Sequence, residues 1–431
     1  MKTDEKTEVG SYFISNYPPF SFWKKEFLPQ AERVLDEPCS QGPPLGLYLH
    51  IPFCRKRCKF CYFRVYTDKN SRDVERYVAA LAREIDLYRT KETFRSRPIK
   101  FAYFGGGTPS FLSAKQLESL VERLRASVSW DDAEEVTFEC EPGTLSETKL
   151  RTIRDIGVTR LSLGVENFSD KILEENGRAH QSPEVFQAYE WARAVGFEQI
   201  NIDLISGMVG ETWENWRECV KKTIALEPDS LTVYQMELPF NAIYSKDLAK
   251  RGVEVADWKT KRDWVDYAFS EMEKVGYQIS SAYTVVKNSS SSFVYRDAVW
   301  HGADMVGAGV ASFSHVGGVH YQNVDTFEAY TEALEEGRLP LGRGLEVTPR
   351  QRLIREMILQ LKLGRLERGY FKSKFGADIL EIFGDEFEKD QRAGLLKTDE
   401  TGVTLSRAGL LRVDSLLPDF FEPAHRGARY T

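Results

Sequence analysis

Cysteine is scarce in this chain, with six in 431 residues. That is too few to staple a protein of this length, so a disulfide scaffold is excluded. No apolar run approaches the ~20 residues that a bilayer span requires, and no membrane span is expected. The charged opening MKTDEKTEVG contains no apolar stretch, so no secretory signal is expected there, and a cytoplasmic location is expected. A basic excess is missing as well: 65 acidic residues against 58 basic leave a net charge of −7. Nucleic acid is therefore not an expected partner. What is present is globular in character, 42% hydrophobic, 29% charged and 12% aromatic. The length exceeds one ordinary domain but suits a barrel of about 250 residues with an appendage.

Six short β-rich runs alternate with helical patterns: GLYLHI (46–51), KFAYF (100–104), EVTFE (135–139), TRLSLGV (159–165), QINIDLIS (199–206) and SLTVYQM (230–236). Between them, stretches such as 71–91, 114–126 and 212–226 repeat apolar residues at three- and four-residue spacing, the period of a helix. Ser113 with Gln116 forms a candidate capping box. Strands joined by crossover helices imply an α/β fold with a parallel sheet. Right-handed crossovers would curl it into a barrel or an open partial (β/α)6 barrel, and a doubly wound sheet is the alternative. Four segments follow: an aromatic, proline-rich arm at 1–45 laid over the core, a β/α core at 46–240, an extension at 241–345 and a helical domain at 346–431. The extension holds a long helix, a strand at 277–283, a polar run NSSSS (288–292) and a glycine-rich stretch at 302–318. The last segment, helices followed by a short polar hairpin, looks winged-helix-like.

Ligands of parallel α/β folds sit beyond the carboxyl ends of the strands. The first strand runs into PFCRKRCKFCYF, which sets Cys54, Cys58 and Cys61 in one loop. Three thiols this close cannot all pair, and soft thiolates suit zinc or an iron–sulfur cluster. Zinc asks for four closed ligands. His50 is the candidate fourth, although at a strand end it is expected to pack. An iron–sulfur cluster on three cysteines would instead keep one iron open to a small chelating molecule. Cys39, Cys140 and Cys219 are scattered and read as ordinary thiols.

The second strand delivers GGGTPSFL (105–112), whose glycines let the backbone approach a carboxylate or phosphate, or simply turn. The third ends at Glu139, a carboxylate for a ribose hydroxyl or an ammonium, or else one facing solvent. The fourth brings Glu166 to the rim, with Arg178 downstream as a cation for carboxylates. Asp203 lies inside the apolar fifth run, where an unpaired carboxylate is costly, so it needs a partner or ligand. No residue is singled out as catalytic.

Cys-x3-Cys-x2-Cys after the first strand of a six-fold β/α core resembles the signature of radical S-adenosylmethionine enzymes. That resemblance implies a 4Fe–4S cluster on Cys54, Cys58 and Cys61, with S-adenosylmethionine chelating the open iron. It further implies reductive cleavage to a 5′-deoxyadenosyl radical and a reductase partner such as flavodoxin or ferredoxin. The stretches LYLHIPFC, GGGTPS, E-x-x-P-G, RLSLGV, NIDLISG and GVASFS are together similar to the oxygen-independent coproporphyrinogen III oxidase family, over about residues 10 to 420. On that likeness Tyr48, Gly106, Gly107, Thr108, Glu139, Glu166, Arg178, Asp203 and Met236 would surround a first S-adenosylmethionine. The family can bind a second such molecule, and its contacts map onto Phe60, Gly107 and Phe313.

Three departures narrow the resemblance. Phe63 stands where the oxidases carry a further cysteine, and Glu166 where glutamine is usual. YRDAVW (295–300) replaces the HNxxYW stretch of the heme-chaperone branch, which disfavours non-catalytic haem trafficking. The pattern looks most like the class C methyltransferases and cyclopropanases. That implies methyl transfer or C–C bond formation on a planar or unsaturated small molecule, with coproporphyrinogen oxidase-like decarboxylation or haem-ring modification as the alternative. Tyr66, Tyr234, Trp300 and Phe313 are candidates for an apolar substrate pocket, and His301 and His315 for carrying protons.

Overall fold

The computed structural model describes residues 13–38, 42–238, 242, 244, 250 and 255–428. The start of the expected arm, Cys39 and part of the 241–345 extension lie outside the described residues. Six strands follow in chain order: β1 (Leu45–Ile51), β2 (Ile99–Gly106), β3 (Glu135–Cys140), β4 (Arg160–Glu166), β5 (Gln199–Ser206) and β6 (Ser230–Gln235). Each pairs in parallel with the next. Their order never reverses, so there is no switch point and the doubly wound alternative is excluded.

β1 and β6 do not close on each other. β9 (Asp304–Ala308) borders β1 in parallel and β8 (Thr284–Val286) borders β6 antiparallel. With β7 (Gln278–Ile279), β10 (Phe313–Val316), β11 (Val319–Asn323) and β12 (Leu341–Glu346) the sheet reaches 12 strands. The result is an open partial barrel.

Alternation along the strands decides which face becomes chemical. Leu47, Phe104, Phe138, Leu163, Ile202 and Val233 are buried on one face, where helices cover them. The opposite parity carries Tyr48, Tyr103, Glu139, Ser162, Asp203 and Thr232 onto the other face. The covering helices start on local signals. Ser113 and Gln116 form the expected box before Ala114–Arg125, and Asn70 and Asp73 do the same before Ser71–Arg89. Ala114–Arg125 buries Leu117, Leu120, Val121 and Leu124, a helical stripe in which each leucine is worth roughly 1.5–3 kcal/mol over exposure.

One expectation needs correction and one is extended. Residues 277–283 do not form one strand: β7 stops at Ile279 and β8 starts at Thr284, because Ser280 and Ser281 both donate their N–H groups to the Thr284 carbonyl and close a turn. The arm does not lie over the β/α core alone. Ile14 and Tyr17 are buried in a second core with Leu353, Ile358 and Phe421, since Tyr17 accepts from the Glu422 N–H and meets His425 Nδ1 at 2.7 Å. That second core also holds β13 (Arg365–Glu367), β14 (Leu396–Asp399) and β15 (Gly402–Leu405), a small antiparallel sheet after helices, as in a winged helix. No helix among the described residues is long and apolar enough to cross a membrane.

Candidate active site at the open end of the barrel

Cys54, Cys58 and Cys61 are free and half-buried on the loop that leaves β1. The loop is pinned on both sides. Cys54 N–H donates to the Tyr66 carbonyl at 3.0 Å, and Lys59 N–H donates to Asn176 at 3.1 Å. Thr108 Oγ1 lies 3.3 Å from Cys54 Sγ, and Arg178 Nη1 lies 3.3 Å from Cys58 Sγ. Burial pushes the Cys54 thiol up to about 11 and the Cys61 thiol to about 12, and the neighbouring Cys58 adds to both. The three sulfurs thus feel one another, and any metal that takes them must displace protons.

The glycines of β2 are shaped by this loop. A Cβ on Gly107 would stand 2.9 Å from the Pro52 carbonyl carbon and 3.1 Å from Cys54 Sγ. One on Gly106, at φ +115°, would stand 2.6 Å from the His50 ring. His50 itself is buried, bonded through Nδ1 to Tyr48 Oη at 3.2 Å, and burial lowers its pKa to about 4. Among the described residues no group of three or more His, Cys, Asp or Glu surrounds a point for a single metal ion. The zinc site with His50 is therefore not formed, because the imidazole packs as a strand-end residue. Three thiols with hydrogen-bond donors on two sulfurs and bare glycine backbone beside them fit a larger sulfur-bound cluster.

Three carboxylates from adjacent strands face this loop. Tyr103 Oη donates to Glu139 at 2.5 Å, and the Gly106 N–H donates at 3.3 Å. Burial raises Glu139 to about 7, with Asp203 and Glu166 adding like charge. Asp203 has the partners its burial demands: Ser162 Oγ at 2.7 Å and Asn201 Nδ2 at 2.9 Å. Burial raises its pKa too. Glu166 lies 3.5 Å from Arg178 and is raised to about 7 by burial. Tyr48 stacks on Tyr103, ring centres 5.8 Å apart. Tyr48, Gly106, Gly107, Thr108, Glu139, Glu166, Arg178 and Asp203 are thereby gathered at one end of the barrel.

Phe60, from the cysteine loop, packs against a separate apolar cluster of Met236, Ile205 and Tyr244. Phe313 packs on Phe20 at 4.3 Å and Trp23 at 5.6 Å. The proposed aromatic pocket does not assemble. Tyr66 packs against Phe327, Trp300 belongs to the second core and Tyr234 stacks on Tyr283 at its edge, while Phe313 packs on Phe20 and Trp23, so the four rings do not line one pocket. Neither histidine is free to carry protons at the mouth. His301 is exposed and bonded to the Asp297 carbonyl, while His315 is buried against His320, with Nδ1 atoms 2.9 Å apart.

Sequence reasoning missed Arg55, Glu141 and His180. Arg55 donates twice to Glu141, at 2.7 and 3.1 Å, and His180 Nδ1 lies 3.5 Å from the same carboxylate. The signal was a cation directly after Cys54 and an acid directly after β3. Tyr103 was missed as well, although it stands two residues before Gly105 on the same face.

The Radical SAM superfamily model matches residues 48–223, which include the cysteine loop and all three carboxylates. The core is a Radical SAM superfamily domain. With it come the enzyme class and its cofactors, a 4Fe–4S cluster and S-adenosylmethionine. The chain is similar to the oxygen-independent coproporphyrinogen III oxidase of Pseudomonas aeruginosa, 28% identical over 409 residues, covering 90% of this chain and 88% of that one. It is similar to the heme chaperone HemW of Bacillus subtilis, 29% identical over 369 residues, covering 84% of this chain and 96% of the relative. Beyond the radical SAM domain, the coproporphyrinogen III oxidase of Escherichia coli, described as a radical SAM enzyme, superposes with a TM-score of 0.81 at 25% identity, covering 95% of this chain and 96% of that chain.

Proposed function

We propose that this radical SAM enzyme holds its cluster on Cys54, Cys58 and Cys61 and its S-adenosylmethionine against Gly106, Gly107, Thr108, Glu139, Glu166, Arg178 and Asp203. The cluster, when bound, supplies the electron that cleaves the sulfonium to a 5′-deoxyadenosyl radical. The chain does the positioning. Glu139 and Asp203 accept from an ammonium or hydroxyls, the bare glycine backbone of β2 lets the ligand approach closely, and the stacked Tyr48 and Tyr103 close the floor. A reducing, cytosolic setting and an external one-electron reductase complete the reading, in keeping with three free thiols.

The reaction we infer is methyl transfer or C–C bond formation on a planar or unsaturated small molecule. The observation that carries it is the charge at the mouth. Glu139, Glu166 and Asp203 are acidic, and Tyr234, which is 42% exposed, is aromatic. The cations acting on Asp203 are already held: Arg178 by Glu166, and Arg160 by Gln199 and Ser230. A polyanionic substrate finds no free cation among them. Deuterated-methyl S-adenosylmethionine with the anaerobically reconstituted enzyme should give 5′-deoxyadenosine, S-adenosylhomocysteine and a mass-shifted product. The second reading, coproporphyrinogen oxidase-like decarboxylation, is favoured by the nearly full-length superposition on that oxidase. Carbon dioxide from coproporphyrinogen III without methyl transfer would select it and reject the first.

A further inference from the structure

Arg178 stands between a thiol and a carboxylate of opposite consequence and is held by a third partner. Nη1 donates to Cys58 Sγ at 3.3 Å and lies 3.5 Å from Glu166 Oε1, while Nη2 donates to the Gly164 carbonyl at 2.7 Å. Both charged side chains are 12% exposed, so solvent screens their fields weakly. The local backbone is bent to make this pair. The β4 register slips between Gly164 and Glu166, and Glu166 takes φ 64°, a left-handed conformation costly for a residue with a side chain. The turn carries the carboxylate back over Gly164, where a Cβ would meet Glu166 Oε1 at 3.1 Å and Arg178 Nη2 at 3.4 Å. Glycine at 164 leaves the room that the ion pair fills.

We propose that Glu166 is a tuning residue for the cluster's reduction potential: by neutralising Arg178, its carboxylate keeps the cluster at Cys58 harder to reduce than a lone guanidinium beside that sulfur would. The inference rests on the cluster assignment proposed above. Reduction adds negative charge, so a nearby cation and an N–H···S bond raise the potential, and an added carboxylate opposes them. Removing the Glu166 charge frees Arg178 toward Cys58 and deletes a negative charge at once. Both changes act in the same direction.

The test uses the full chain, reconstituted anaerobically without S-adenosylmethionine, with iron and sulfide counted before measurement. Midpoint potentials are read by dithionite titration followed by the electron paramagnetic resonance of the reduced cluster. Glu166→Gln should shift the potential upward. Glu166→Asn should do the same, and asparagine tolerates the left-handed backbone at this position well. Glu166→Asp keeps the charge and should stay at the wild-type value. Neutral variants with an unmoved or lowered potential, or an Asp variant that moves as far as Gln, overturn the proposal while leaving the cluster assignment intact. A wild type that binds no iron overturns the assignment and the proposal together.

Discussion

Arg55 holds Glu141 through two hydrogen bonds, 3.1 Å from Nε and 2.7 Å from Nη2. The residue after the first cysteine is thus fastened to the residue after β3, 86 positions along the chain. Distant segments meet at the cysteine loop through this pair.

Although burial opposes it, the nearby His180, the Arg55 hydrogen bonds and the Arg178 charge bring Glu141 down to about 2. A carboxylate depressed on folding stabilises the protein above its ordinary range and ceases to as pH falls toward that value. Glu141→Gln should therefore lose about 1–3 kcal/mol at pH 7. It should also show a shallower loss of stability than wild type between pH 5 and pH 3. Urea unfolding at these pH values decides it, and a variant as acid-sensitive as wild type contradicts the pairing.

Glu139 runs the other way. Its pKa rises to about 7 on folding, chiefly by burial, from an ordinary carboxylate value in the unfolded chain. Across that interval the folded state binds more protons, so stability falls as pH rises from about 4 to 7. Glu139→Gln should flatten that decline and raise the melting temperature at pH 8. The same variant should bind S-adenosylmethionine at least tenfold more weakly by calorimetry. Unchanged affinity would remove Glu139 from the site.

Gly107→Ala should damage the site more than the fold. The new methyl would press on Pro52 and Phe53 backbone atoms at 2.9 and 3.0 Å, which cannot rotate away, and on Cys54 Sγ at 3.1 Å. Overpacking of this kind costs about 1–3 kcal/mol. The expected result is a folded chain by circular dichroism with less than half the wild-type iron after reconstitution. Full iron uptake would show that the loop shifts freely.

The strands and their polar ends were readable because parity alone separates Leu47 from Tyr48 and Ile202 from Asp203. The cysteine loop was readable because its ligand types are rare and closely spaced. Pairings across long sequence separation were not. Nothing near Arg55 names Glu141, and nothing near Cys58 names Arg178, 120 residues away. The aromatic pocket failed for a related reason. Ring type says nothing about which neighbour arrives, so Trp300 went to the second core and Tyr66 to Phe327. The arm likewise found its partners, Glu422 and His425, at the far end of the chain.

The five described cysteines should divide cleanly. Cys140 is buried in the main core, and Cys219 is buried with its thiol 3.2 Å from Asn167 Oδ1, so neither faces the loop. Alanine at either should cost stability, about 1–2 kcal/mol from lost packing, yet leave iron uptake at the wild-type level. Serine at Cys54, Cys58 or Cys61 should abolish the iron–sulfur absorption with little change in melting temperature before reconstitution, since these half-buried side chains anchor little of the core. Iron and sulfide counts on the five variants, each reconstituted anaerobically, check the division. Retained cluster in any of the three serine variants would mean that the ligand set includes a residue outside this loop.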